Sequence, residues 1–117
     1  MLPAVAIPRI TRAGVRVNDV TRLNPVEVAR EVRPRSPDDV REALRGWSGA
    51  VCVGGGRFSM GGQIAYPDAL HLDMRSMVGL VRFDPEKRMI RMQAGARWRD
   101  VQELIDPHQL SVKIMQS

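Results

Sequence analysis

Val53-Gly54-Gly55-Gly56-Arg57-Phe58-Ser59-Met60-Gly61-Gly62-Gln63 follows directly on a short apolar run, Ala50 to Val53. The run reads as a buried strand, and the glycines after it let the backbone take positive φ and approach a ligand with no Cβ between. Successive amide N–H groups in such a turn form a concave nest that favours anions, phosphates above all. Arg57 adds a charge-assisted donor and Ser59 a hydroxyl donor. Two common phosphate loops are excluded. A P-loop needs GxxxxGK[ST], and this stretch has no lysine. A Rossmann loop needs a helix opening at its third glycine, whereas Ile64-Ala65-Tyr66-Pro67 is extended and stopped by proline. By pattern alone, a glycine-rich surface turn between two strands remains an equal alternative.

Working outward, the flanks alternate strands and helices. Val26, Val28 and Val32 predict a first strand ending at Pro34. Ser36-Pro37-Asp38-Asp39 predicts a helix start, with serine as N-cap, proline in the first turn and two carboxylates at the positive end of the dipole. Val40, Ala43, Leu44 and Trp47 continue it to Gly46 or Gly49. Downstream, Leu70 to Asp73 predicts a strand. Val78 to Phe83 and Met89 to Ala94 predict a hairpin turning at Asp84-Pro85-Glu86-Lys87. Trp98, Val101, Gln102, Leu104 and Ile105 give a second helix its apolar face, up to Asp106-Pro107. Ser111 to Met115 predicts a last strand. Residues 1–24 lack sustained periodicity and are expected to form a loose lead-in, with the domain proper at 25–117. The order argues for an α+β domain, a small mixed sheet with two helices. A strand opening at the very end of the chain leaves an uncovered edge, so the domain is expected to be truncated.

Composition narrows the classes. The 117 residues, 44% hydrophobic and 26% charged, fit one globular domain. Aromatics at 4% leave the core to Val, Ile, Leu, Met and Ala. The net charge of +5 comes almost wholly from arginine, Lys87 and Lys113 being the only lysines. These arginines are scattered with no aromatic interleaving, so a base-stacking platform is not indicated. Cys52 is the single cysteine, which excludes an intrachain disulfide and points to a reducing, cytoplasmic compartment. Its valine neighbours favour a small buried hydrophobe over a reactive thiol. Met1 to Ile7 is apolar but too short to span a membrane, and its arginine follows rather than precedes the apolar stretch.

Four pieces together carry a resemblance. Val32-Arg33-Pro34-Arg35-Ser36-Pro37-Asp38-Asp39-Val40 resembles a "V-x-P-x-S-x-x-D-V" strand-to-helix element. Gly54 to Gly62 resembles a "GGGHSxxG" pyrophosphate loop. Leu70-His71-Leu72-Asp73-Met74 resembles the strand that follows it, where "I-D-x-S/M" is usual. Ala94-Gly95-Ala96-Arg97-Trp98-Arg99-Asp100-Val101 resembles "V-x-A-G-x-x-W-x-D-V" at the next helix. In order and spacing, the chain from about Asn18 to Gln116 is similar to the first half of the FAD-binding domain of the vanillyl-alcohol oxidase / p-cresol methylhydroxylase (PCMH-type) family of FAD-linked oxidases. The resemblance implies that Val53, Gly54, Gly55, Gly56, Arg57, Phe58, Ser59, Met60, Gly61, Gly62 and Gln63 bind the cofactor FAD. Many members carry a histidine in this loop that bonds covalently to the flavin. With Ser59 on the motif serine, Phe58 stands in its place, which implies non-covalent FAD. The family's second glycine-rich segment and its substrate domain would lie beyond Ser117. They are the partners the resemblance implies, and turnover by the 117 residues alone is not expected.

Other chemistry-bearing residues read plainly. His71, between Leu70 and Leu72, is expected to be a satisfied structural histidine, and His108 a solvent-exposed one. With one cysteine, the two histidines make no metal constellation. Met74, Met77, Met89 and Met92 are expected in the core. Arg97 and Trp98 are expected to cap and pack. Two other function classes stay open: a non-catalytic binding or interaction module, and an arginine-driven nucleic-acid binder, which steep salt dependence uncompeted by FAD would reveal.

Overall fold

The computed structural model describes residues 10–113. Eight-residue runs rich in valine open the chain: β1 (Ile10–Val17) and β2 (Val26–Arg33) pair antiparallel, from Ile10 opposite Arg33 to Val17 opposite Val26. Residues 10–17 are therefore a sheet strand and not part of a loose lead-in. The reason is non-local: Thr11, Arg12 and Ala13 are exposed and leave little hydrophobic pattern, so the strand is defined by the partner it pairs with.

Pro34 ends β2, and α1 (Pro37–Arg45) starts as expected. Ser36 Oγ accepts from the Asp39 amide at 3.2 Å, and Asp39 Oδ2 accepts from the Arg35 amide at 2.9 Å. Gly46 closes the helix, its amide bonding the Leu44 carbonyl. β3 (Val51–Gly54) and β4 (Leu70–Asp73) follow, both parallel to the sheet, giving the strand order β1-β2-β4-β3. β4 is central and buried throughout. β3 is the edge. Val51 and Val53 are exposed, so the strand expected to be buried is covered on one side only.

Two apolar clusters sit on this sheet. Val32, Leu70, Leu72, Met74 and Met77 pack under Val40, Ala43 and Trp47 of the α1 region. Val17, Val28 and Ile64 pack with Val15, Val26, Cys52 and Ala65. Met74 and Met77 are core as expected, though they belong to a 3-10 turn (Met74–Ser76) and its cap rather than to a strand.

The remainder is a hairpin, β5 (Leu80–Asp84) with β6 (Met89–Met92), and α2 (Trp98–Ile105). Met89 is exposed, against the expectation of a core position, because its ribbon has no further strand beside it among the described residues. α2 buries Val101 and Ile105, and a 3-10 turn (Asp106–His108) ends it. His108 is exposed, its ring edge-on to Phe83 at 4.9 Å. Residues 111–113 are not strand, and the rest of the last expected strand lies outside the described residues. Gly95 ties this half to the first. Its amide donates to the Met77 carbonyl at 2.8 Å, and a Cβ there would lie 1.7 Å from the Met74 carbonyl oxygen.

Candidate functional site

The glycine loop leaves the end of β3 at the rim of the sheet, beside the end of β4. Gly54, paired with Asp73, is buried, and an added Cβ would lie 2.7 Å from His71 Nε2, so only glycine fits against that ring. Gly55 is open, with nothing within 4 Å of a built Cβ. Over Gly56 lies the Phe58 ring, 3.1 Å from the Cβ position, and Arg97 Nε is 3.9 Å away. Arg97, expected to cap and pack, thus stands beside the loop. It does cap α2, its amide donating to Asp100 Oδ2 at 2.9 Å.

Backbone geometry in the loop is unusual at two positions. Arg57 has φ +67° and Gly62 φ +77°. Glycine takes the second without strain, whereas arginine in the first is uncommon and must be held there. The β1–β2 connection does part of the holding: the Val20 amide donates to the Arg57 carbonyl at 2.9 Å, and Asn24 Nδ2 donates to the Met60 carbonyl at 2.9 Å. Asn24 is fixed in turn by Asp19 Oδ2 at 2.8 Å. Hydrogen bonds, first of all from the Thr21 hydroxyl, outweigh desolvation and keep the Asp19 carboxyl below its ordinary value. The Gly61 amide donates to Gln63 Oε1 at 2.8 Å. The amides of Gly55, Gly56, Phe58 and Ser59 donate to no protein acceptor among the described residues. Val53, Phe58, Ser59, Met60, Gly61 and Gln63 are exposed around them.

Beneath the loop lies a polar cluster that the residue-by-residue reading of the sequence did not single out. Parallel register sets Glu31 opposite His71 and His71 opposite Cys52, in one row across the face away from α1, with Asp73 and Gly54 two residues on. Asp73 is fully buried. It accepts from Arg75 Nη2 at 2.6 Å and Arg33 Nη2 at 2.9 Å, and Arg57 Nη2 lies 3.7 Å away. Burial alone would raise its carboxyl, but the hydrogen bonds from the Arg75 side chain and amide, and from Arg33, hold it far below the usual carboxylate range. Glu31 is lowered as well, by its contact with His71 first, against the cost of burial, and then by the Arg57 charge. Arg57 Nη2 reaches Glu31 Oε2 at 3.3 Å. The guanidinium expected to face a ligand is therefore turned inward.

His71 is fully buried but not satisfied. Nδ1 is 3.5 Å from Glu31 Oε2, outside good hydrogen-bond geometry, and among the described residues Nε2 has no partner, nor has Arg57 Nε. The sequence held one clue to this cluster: Glu31 and Arg33 in β2, and His71 and Asp73 in β4, each alternate with apolar residues inside strands. Cys52 beside them is half-buried, and burial raises its thiol above the ordinary value.

The sequence pattern of a family described as "FAD binding domain" matches residues 28–117. No curated protein matches the chain. Among solved structures, one titled alkyldihydroxyacetonephosphate synthase superposes with a TM-score of 0.60 at 18% identity, over 70% of this chain and 16% of that one. The chain thus spans about a sixth of that protein's length. No helix among the described residues is long and apolar enough to cross a membrane.

Proposed function

The chain belongs to the FAD binding domain family, and from that premise we propose that it holds the pyrophosphate of FAD in the loop from Val53 to Gln63, as one part of a PCMH-type FAD-linked oxidoreductase. The observation that carries the reading is the run of amides at Gly55, Gly56, Phe58 and Ser59, unengaged among the described residues, in a glycine-rich loop at the rim of the sheet. Such amides are the donors that phosphate oxygens need, and the Ser59 hydroxyl adds another. Bound FAD supplies hydride and electron transfer, while the protein's part is placement. Gly54 brings the backbone down onto His71, Gly55 leaves the cradle open, and Gly62 turns the chain back under Asn24. Arg97, exposed and beside Gly56, supplies the cation on the open side.

Phe58 has no group able to bond covalently to a flavin, so the cofactor is held without a covalent bond at this loop. The remainder of the flavin site and the substrate pocket belong to a C-terminal half and a substrate domain. The single cysteine supports a reducing, cytoplasmic compartment as part of this reading. The test is titration of the purified chain with FAD followed by flavin fluorescence, beside Gly55→Val. Nothing lies within 4 Å of the Gly55 Cβ position, so that variant should fold while its side chain fills the cradle. Saturable binding by the parent, weakened on the order of tenfold or more in the variant, is expected for lost charge-assisted hydrogen bonds. Equal binding by both would remove the loop from the site.

A further inference from the structure

We propose that Arg57 is a positioning residue: its guanidinium, anchored on Glu31 and Asp73 below the loop, sets the loop's shape and does not itself meet the phosphates. The inference rests on the FAD reading above and changes the role of the one cation inside the motif.

Several observations converge. Arg57 takes φ +67°, a region that side chains other than Gly, Asn and Asp rarely enter, so something must offset the strain. Its side chain is mostly buried, at 22% exposure, and Nη2 lies 3.3 Å from Glu31 Oε2 and 3.7 Å from Asp73 Oδ2. Its carbonyl is tied to the Val20 amide. Arg57 is thus fixed through both backbone and side chain. The amides of Gly55 and Gly56 before it, and of Phe58 and Ser59 after it, have no protein acceptor among the described residues. A peg at the centre of four free donors determines where they point. Both carboxylates that grip the peg come from other strands, Glu31 from β2 and Asp73 from β4, so the cradle is keyed to the sheet. An arginine reaching out to phosphate would have to leave Glu31 nearly dry with only His71 beside it, which is costly, while Asp73 would keep Arg33 and Arg75.

The two roles for Arg57 predict opposite signs for Glu31→Gln. If Arg57 were a phosphate ligand, neutralising its internal competitor would free it and remove a nearby negative charge, so FAD would bind more tightly. A positioning role predicts weaker binding, on the order of tenfold, with the fold retained in thermal melts. In a double-mutant cycle with Arg57→Gly, which removes the guanidinium and suits the positive φ, Glu31→Gln should cost nothing further. Backbone 15N order parameters of Gly55 to Ser59 should drop from about 0.85 toward 0.6 in either variant without any flavin present. That readout stands apart from FAD: a parent that binds no FAD sinks the proposed function, while the order parameters still decide the anchoring. Tighter binding by Glu31→Gln, additive losses in the cycle, or an unchanged loop in Arg57→Gly would each overturn the proposal. Should Glu31→Gln fail to fold, Arg57→Gly alone decides through the order parameters.

Discussion

The two halves of the molecule bury their apolar residues very differently. In the four-stranded sheet with α1, the central β4 is buried at every position, and two clusters of Val, Ile, Leu and Met close over it. In the β5–β6 ribbon no residue is fully buried, Val78, Leu80, Val81 and Met89 are exposed, and α2 contributes only Val101 and Ile105 to the core. Both halves carry similar residue types, so composition does not separate them. The central strand β4 has both faces and both edges covered by neighbours, whereas a two-stranded ribbon is marginal on its own and takes what support it has from elsewhere. The glycine loop belongs to the first half, and its shape therefore inherits the rigidity of the sheet.

The sharpest way to break that contrast is by matched truncation. Leu72→Ala removes a side chain packed in the main cluster and should cost about 2–5 kcal/mol in urea unfolding. Val81→Ala on the open ribbon should stay within about 0.5 kcal/mol. Equal costs would mean that Val81 is packed as closely as Leu72, against the contrast in their burial. A second pair probes the junction. Gly95→Ala presses a methyl on the Met74 carbonyl and should cost about 1–3 kcal/mol, since backbone has to move. Gly55→Ala meets nothing within 4 Å and should be close to neutral for stability.

A third expectation is acid sensitivity centred on the cluster under the loop. Asp73 and Glu31 both titrate below their ordinary values of 3.8 and 4.5 when folded. Groups of lowered pKa contribute stability that is full above the unfolded value and is lost as pH falls. Stability should thus be flat above about pH 5 and decline below, by at most about 1.4 kcal/mol per pH unit for each carboxylate. Asp73→Asn should flatten that decline, and urea midpoints between pH 5 and pH 3 would show it. An unchanged slope would mean that these carboxylates are not held in the folded state.

Much of the local structure was legible. Ser36-Pro37-Asp38-Asp39 announced a helix by its capping chemistry, and the α1 start follows it. Leu70 to Asp73 read as a strand and is one. β1 escaped notice because Arg12, Gly14 and Arg16 interrupt its pattern, and its identity depends on β2 across the hairpin. The burial of Val51 and Val53 was overestimated, since an apolar run does not say whether its strand lies at the centre or the edge. The family match covers all four motifs of the resemblance at the coarser level of an FAD binding domain. The inward turn of Arg57 and the unsatisfied His71 were not foreseen, because both depend on which strands stand side by side.

By itself, then, the sequence determined the order of strands and helices from β2 to α2, the helix start at Ser36, and a glycine loop unable to be a P-loop or a Rossmann turn. Those features rest on propensities and capping bonds among residues a few positions apart. Only the tertiary structure decided that Glu31, His71 and Asp73 share one face, that Arg57 pairs with Glu31 and Asp73, and that Arg97 stands beside Gly56. Parallel pairing joins segments 40 residues apart, and no local rule specifies which side chains such a pairing brings face to face.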